Sequence, residues 1–260
     1  MSAALKSEVM DATLVLSISN PGLRNALDPS MYAAGIEALN AAESATDVAC
    51  VILTGEGPCF SSGGNLVRLS QSHAQTPAER AASVDGLHGW VEAIRTFPKP
   101  VIACVEGVAA GAGFSLALAC DLIVAGDSSQ FKLAHVNVGL SPDGGATWHL
   151  MNLLPRATAM QLMLTGAAIS AQRLHALGVV SQLAPDGQAL RTALSLASTL
   201  AQQSSAAMGS IKELANDATG ASLSAHLQAE KRHFLGHLAG NDAVQRMQTF
   251  LQKKPSAPPL

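Results

Sequence analysis

The longest apolar stretch of the chain, Val101 to Cys120, contains one charge, Glu106, and three glycines, Gly107, Gly111 and Gly113. A membrane span needs roughly 20 uninterrupted apolar residues. The breaks here instead divide the stretch into a strand (Val101 to Val105), a glycine-rich turn, and a short apolar helix from about Ala112 to Ala119. A strand and a helix that are apolar all round must both be covered on every side. Such elements belong to the interior of a sheet flanked by helices, which limits the chain to α/β architecture.

The remaining pattern agrees. Thr13 to Ser19 alternates and is rich in strand formers, Asn20-Pro21-Gly22 turns the chain, and Asp28-Pro29 opens a helix running to about Ala42. Val48 to Leu53 reads as a buried strand. Thr76-Pro77-Ala78-Glu79 is a capping box with proline at the first helical position, opening a helix to about Thr96. Leu122 to Ala125 and Gln130 to Leu133 read as short strands. From about Gly144 the pattern is mostly helical, with one strand near Val179 to Leu183. The expected division is a core domain over residues 1–188 and a helical region over residues 189–260.

Composition excludes several function classes. Apolar residues make up 48% of the chain, aromatics 3%, and the formal net charge is −3 with no run of like charge. That argues against disorder and gives no basic face for nucleic acid. Met1 to Asp11 has no apolar segment behind a basic start, and no stretch reads as a membrane span, so a cytoplasmic location is expected. Cys50, Cys59, Cys104 and Cys120 form no CxxC pair and read as reduced thiols. No His/Cys/carboxylate cluster has ligand spacing, so neither a metal nor a redox cofactor is expected.

Three loops could carry chemistry. Phe60-Ser61-Ser62-Gly63-Gly64-Asn65-Leu66 follows a strand, and Gly107 to Ser115 joins a strand to a helix. Glycine turns let a ligand approach the backbone, and a helix N-terminus presents free amides. In the third, Gly139 to Trp148, Asp143 stands in a Pro/Gly-rich loop ahead of a helix. Taken alone, each has a plain structural explanation as a turn or a cap.

In order, spacing and content the three loops together resemble the crotonase family, the enoyl-CoA hydratases and isomerases. Arg24-Asn25-Ala26-Leu27 resembles that family's turn near CoA. Lys99 to Ala103 resembles its strand before the second oxyanion segment, and Thr165-Gly166 and Leu177 to Val180 resemble its later landmarks. The resemblance runs from about Leu14 to Ala184 and extends more weakly to Phe250. It implies a ββα spiral core with a C-terminal helical trimerisation region, an acyl-CoA thioester substrate and no separate cofactor, and a homotrimer or dimer of trimers. It also implies an oxyanion hole from the amides of Gly64 and Ala112. CoA contacts would come from Arg24, Ala26 and Ser62, with Phe250 and Lys253 reaching a neighbouring subunit's CoA.

The hydratases of this family use two glutamates, which would fall at Ser115 and His135, and neither is a carboxylate here. Asp143 stands where isomerase members carry their acid, and Gly-x-x-Pro-Asp-x-Gly-x-Thr-Trp is similar to the 1,2-epoxyphenylacetyl-CoA isomerases. The expected reaction is therefore a Δ3-to-Δ2 shift of an enoyl-CoA double bond, or a related thioester isomerisation, with Asp143 as base. His135, Ser115 and Trp148 are expected pocket residues, and His88 a flanking one. The competing readings are a hydratase with non-standard acid/base residues, an acyl-CoA dehalogenase or hydrolase, and a catalytically silent CoA-binding protein.

Overall fold

Residues 3–252 are described by the computed structural model. The central sheet is built from β1 (Ala4–Met10), β2 (Thr13–Ser19), β3 (Cys50–Gly55), β4 (Val101–Val105), β6 (Leu122–Gly126) and β9 (Gln182–Ala184), in the order β1-β2-β3-β4-β6-β9. Only the β1–β2 pair is antiparallel. A smaller sheet joins β5 (Val108–Ala110), β7 (Gln130–Lys132) and β8 (Ala168–Ser170).

Strand residues alternate between two apolar layers. Leu14, Leu16, Val51, Leu53, Val101 and Ala103 face one core, shared with α1 (Pro29–Ser44), α3 (Pro77–Thr96) and α4 (Ala112–Ala119). Val15, Cys50, Ile52, Ile102, Cys104 and Val124 face a second layer closed by Ala189, Ala193 and Ala197 of α8 (Ala189–Ala201). Burial on both faces explains why these strands read as continuous apolar runs. Cys50, Cys104 and Cys120 are buried and Cys59 is half-buried, and none of the four is joined in a disulfide. Burial pushes the Cys104 thiol up to about 12.

The chain divides into two compact units, the first ending at Gln202 and the second beginning at Gln203. Helix α8, grouped in the sequence reading with the terminal helices, is packed on the back of the sheet. Its N-terminus is held there by Glu106, whose Oε1 accepts from the Ala189 amide at 2.9 Å. The second unit contains α9 (Ser205–Asp217), α10 (Leu223–Leu238) and α11 (Asn241–Gln252). Ser204 and Ser222 cap the first two. No helix among the described residues is long and apolar enough to cross a membrane.

Three strands were not legible. Strand β1 is an edge strand carrying Lys6 and Glu8, so its pattern is polar. Strands β5 and β8 are three residues each, β5 lying inside what reads as a glycine turn. The expected strand near Val179 to Leu183 is β9, shifted toward Ala184.

Helix α1 ends on a buried lysine. Lys99 is 8% exposed, and its Nζ donates to the Ala42 and Ala45 carbonyls at 2.6 and 2.7 Å. These are among the carbonyls a helix C-terminus leaves unpaired. Lys99→Met, which keeps the aliphatic stem, is expected to lower unfolding free energy by about 1–3 kcal/mol, read from the urea midpoint. An unchanged midpoint would show that the ammonium contributes nothing at α1.

Candidate active site

The first two loops meet as neighbouring strands. The Ser61 amide donates to the Val108 carbonyl at 3.0 Å and the Ala110 amide donates to the Ser61 carbonyl at 2.9 Å, a parallel bridge pairing Ser61 with Ala109. Carried three residues further, that register sets Gly64 opposite Ala112. On the other side Leu27 bridges Gly64, with its amide on the Gly63 carbonyl at 2.8 Å, and the Ser62 amide reaches the Arg24 carbonyl at 3.0 Å. Residues 60–64 are thus the middle ply of a three-ply ribbon.

Two glycines make the ribbon possible. At Gly63 φ is +91°, and a Cβ there would come within 2.6 Å of the Ala110 carbonyl oxygen. Gly111, at φ +51°, turns the chain into α4 and anchors its own amide on the Lys132 carbonyl at 2.8 Å. Ala112 is then the first residue of a fully buried helix, and its amide has no carbonyl four residues back to bond. Neither the Gly64 amide nor the Ala112 amide donates to an acceptor among the described residues. Both residues line one cavity of about 530 Å3. Two unpaired amides on one cavity wall are the kind of donor pair that can stabilise an oxygen gaining negative charge.

Asp143 lines the same cavity. It lies between a 3-10 turn (Ala134–Val138) and α5 (Ala146–Leu153). Its carboxylate Oδ1 is 3.2 Å from Nε2 of His135, whose side chain is 11% exposed. The His135 Nδ1 is buried and has no hydrogen-bond partner. A proton on Nδ1 would be a buried donor without an acceptor, so the ring proton belongs on Nε2, donating to Asp143.

Ser115 is fully buried and does not line the cavity, correcting the expectation that it is a pocket residue. Its Oγ donates to the Asp143 carbonyl at 2.9 Å, with the Gly111 carbonyl at 3.3 Å. The loop sits so low on this serine that a Cβ at Gly144 would lie 2.8 Å from the Ser115 Cβ. Ser115 fixes the height of the acid rather than reacting.

Trp148 is a second correction. It is 47% exposed, outside the cavity lining, with the Arg95 guanidinium 5.5 Å from its ring centre. One turn of α5 carries Trp148 outward while His149 goes in. His88 does line the cavity, as do Ser62 and His135. Arg24 is exposed, in left-handed backbone at φ +49°. The Ala26 amide bonds the Leu23 carbonyl and its carbonyl accepts from Asn20, leaving only a second carbonyl lone pair for a ligand. Phe250 is exposed on α11 of the second unit, and Lys253 lies outside the described residues.

Sequence reasoning missed Arg68 and Tyr32. Arg68 lines the cavity from the short helix α2 (Leu66–Gln71). Tyr32 is buried on α1, and burial raises its phenol to about 12, with the charges of Arg68 and Asp143 acting on it in opposite directions. Neither residue stands in a motif. The only available signals were that Tyr32 is the single tyrosine of the chain and that Arg68 is a cation just after the Gly63-Gly64 pair. Among the described residues no group of three His, Cys, Asp or Glu side chains is placed to hold a metal ion.

Comparison with known proteins gives a consistent picture. The sequence pattern of the enoyl-CoA hydratase/isomerase family matches residues 8–257. The 1,2-epoxyphenylacetyl-CoA isomerase of Escherichia coli (strain K12) is 34% identical, over 95% of each chain. The 2,3-dehydroadipyl-CoA hydratase of the same strain is 31% identical, over 93% of this chain and 92% of the relative. A crystal structure of an enoyl-CoA hydratase from Polaromonas sp. JS666 superimposes with a TM-score of 0.95 at 50% identity, covering 96% of this chain and 98% of that one.

Gly63→Ala is expected to force the plies apart and lower kcat by about 100-fold or more, the scale of one lost oxyanion donor. Steady-state assay checks this, and near-normal turnover would show that the ribbon tolerates a methyl group. A pH effect follows from His149, which is 5% exposed; burial, aided by the Arg95 charge, lowers its pKa to about 4. The unfolded chain, with an ordinary histidine near 6.5, then binds the proton more readily. The corresponding stability is complete above about pH 6.5 and is lost as pH falls toward 4. Urea midpoints at pH 7 and pH 5 should therefore diverge less in His149→Gln than in the parent.

Proposed function

We propose that this chain, which belongs to the enoyl-CoA hydratase/isomerase family, is an acyl-CoA enzyme that shifts the double bond of an enoyl-CoA from Δ3 to Δ2, with Asp143 as the base. The observation that carries this reading is that Asp143 is the only carboxylate among the described residues lining the cavity that holds the paired amides. The two positions where hydratases of the family place glutamates are a serine committed to a backbone carbonyl and a histidine bonded to Asp143.

One carboxylate suffices for a 1,3-proton shift. The substrate thioester oxygen lies between the Gly64 and Ala112 amides. Asp143 takes a proton from C2, and the electron pair spreads through the C3–C4 double bond and the carbonyl as a dienolate. The amides and the N-terminal dipole of α4 hold its charge. Asp143 then returns the proton at C4, leaving the double bond conjugated at C2–C3. His135 orients the carboxylate through its Nε2 proton. The CoA moiety is held along Arg24, Ala26 and Ser62, in a homotrimer or dimer of trimers in which Phe250 and Lys253 serve a neighbour's site.

A specific observation also favours a second reading. The His135–Asp143 pair at 3.2 Å could position and deprotonate water, giving hydration without the usual glutamates. Rates of trans-3-hexenoyl-CoA isomerisation and crotonyl-CoA hydration, measured by ultraviolet absorbance for the parent and Asp143→Asn, separate the two. The expected result is isomerisation that falls by roughly 100-fold or more in the variant, with negligible hydration in the parent. Robust hydration without isomerisation would overturn the proposal in favour of the second reading.

A further inference from the structure

We propose that Arg68 recognises an anionic group at the distal end of the substrate's acyl chain, so that the preferred substrate is a dicarboxylic acid joined to CoA through one of its two carboxyls. This rests on the reading of the cavity as the acyl site. A guanidinium has five N–H donors. Arg68 uses Nη2 on the Ser83 Oγ at 2.9 Å, while its Nε is buried with no partner. No carboxylate pairs with it among the described residues. Arg80, which lines the same cavity, is tied to the backbone, its Nη1 donating to the Ser72 and Gln75 carbonyls at 3.4 and 2.9 Å.

The position of Arg68 is fixed rather than incidental. Helix α2 begins one residue after the Asn65 cap, whose Oδ1 accepts the Arg68 amide at 3.2 Å, and Gly64 immediately precedes that cap. The guanidinium is therefore tied to the amide wall by four residues of chain. Arg68 and Asp143 line the same cavity, and the charges of both reach the buried phenol of Tyr32. A half-buried cation with unused donors beside apolar side chains such as Leu69 and Val84 is an incomplete ion pair. A carboxylate in the cavity completes it by accepting from the outer Nη donors in planar, two-point geometry, since the Nε itself is enclosed. A neutral alkyl end would leave the donors unpaired.

The test uses saturated thioesters, so that binding is read without chemistry. Hexanoyl-CoA and adipoyl-CoA are titrated calorimetrically into the full-length protein, its Arg68→Met variant and its Arg68→Lys variant. The parent is expected to bind adipoyl-CoA about tenfold or more tightly than hexanoyl-CoA, the scale of a charge-assisted contact. Arg68→Met should abolish that preference while leaving hexanoyl-CoA affinity within about twofold, and Arg68→Lys should retain part of it. Equal affinities in the parent would overturn the proposal. So would a uniform loss for both thioesters in Arg68→Met, which would assign the arginine to the CoA phosphates. Binding selectivity is independent of proton transfer, so a failure of Asp143 as the base would appear only in the turnover of Asp143→Asn.

Discussion

The site depends on a pairing of backbone with backbone. The segments 24–27, 60–64 and 108–112 lie side by side, and the hydrogen bonds between them leave the Gly64 and Ala112 amides unpaired at the edge of the ribbon. No side chain makes this receptor, so no single side chain can be exchanged to move it. Its precision comes from what stands behind it: β3 and β4 are covered on both faces, and α4 has every residue buried. An amide pair held by a close-packed interior need not reorganise when charge appears between its members, which is the condition for strong electrostatic stabilisation.

The acid is supported in a similar manner. Asp143 lies on a loop, which alone would hold a carboxylate loosely. Its carbonyl rests on the Ser115 hydroxyl, its carboxylate meets His135, and the Ala146 amide turns back to it at 3.3 Å. Since Ser115 belongs to α4, the helix that begins with Ala112, one element carries the unpaired Ala112 amide and the hydroxyl that anchors the Asp143 loop.

How much of this was legible follows from where each signal lies. The doubly buried strands and the capped helices α1 and α3 carry their evidence locally, in apolar runs and in Asp28-Pro29 and Thr76-Pro77-Ala78-Glu79, and the structure places them as read. Strands β5 and β8 exist only because partners lie alongside them, and three residues leave no periodicity. The grouping of Gly64, Ala112, Asp143 and His135 was available through family resemblance, whereas the register that aligns the amides was not. Ser115 and Trp148 were misplaced because a linear motif does not say which face of a helix meets the cavity. Arg68 and Tyr32 were missed because a lone arginine and a lone tyrosine mean nothing until their neighbours are known.

The closeness of Ser115 to Gly144 bears on how such a site can evolve. A Cβ at residue 144 would lie 2.8 Å from the Ser115 Cβ, so residue 144 has no room for a side chain while Ser115 and the loop stand where they do. Residues 115 and 144 are therefore coupled, since a side chain at residue 144 must displace either Ser115 or the loop that carries Asp143. Substitutions at residues 115 and 144 should therefore be non-additive, each tolerated only beside a compatible partner, so the two positions evolve as a pair and not one at a time.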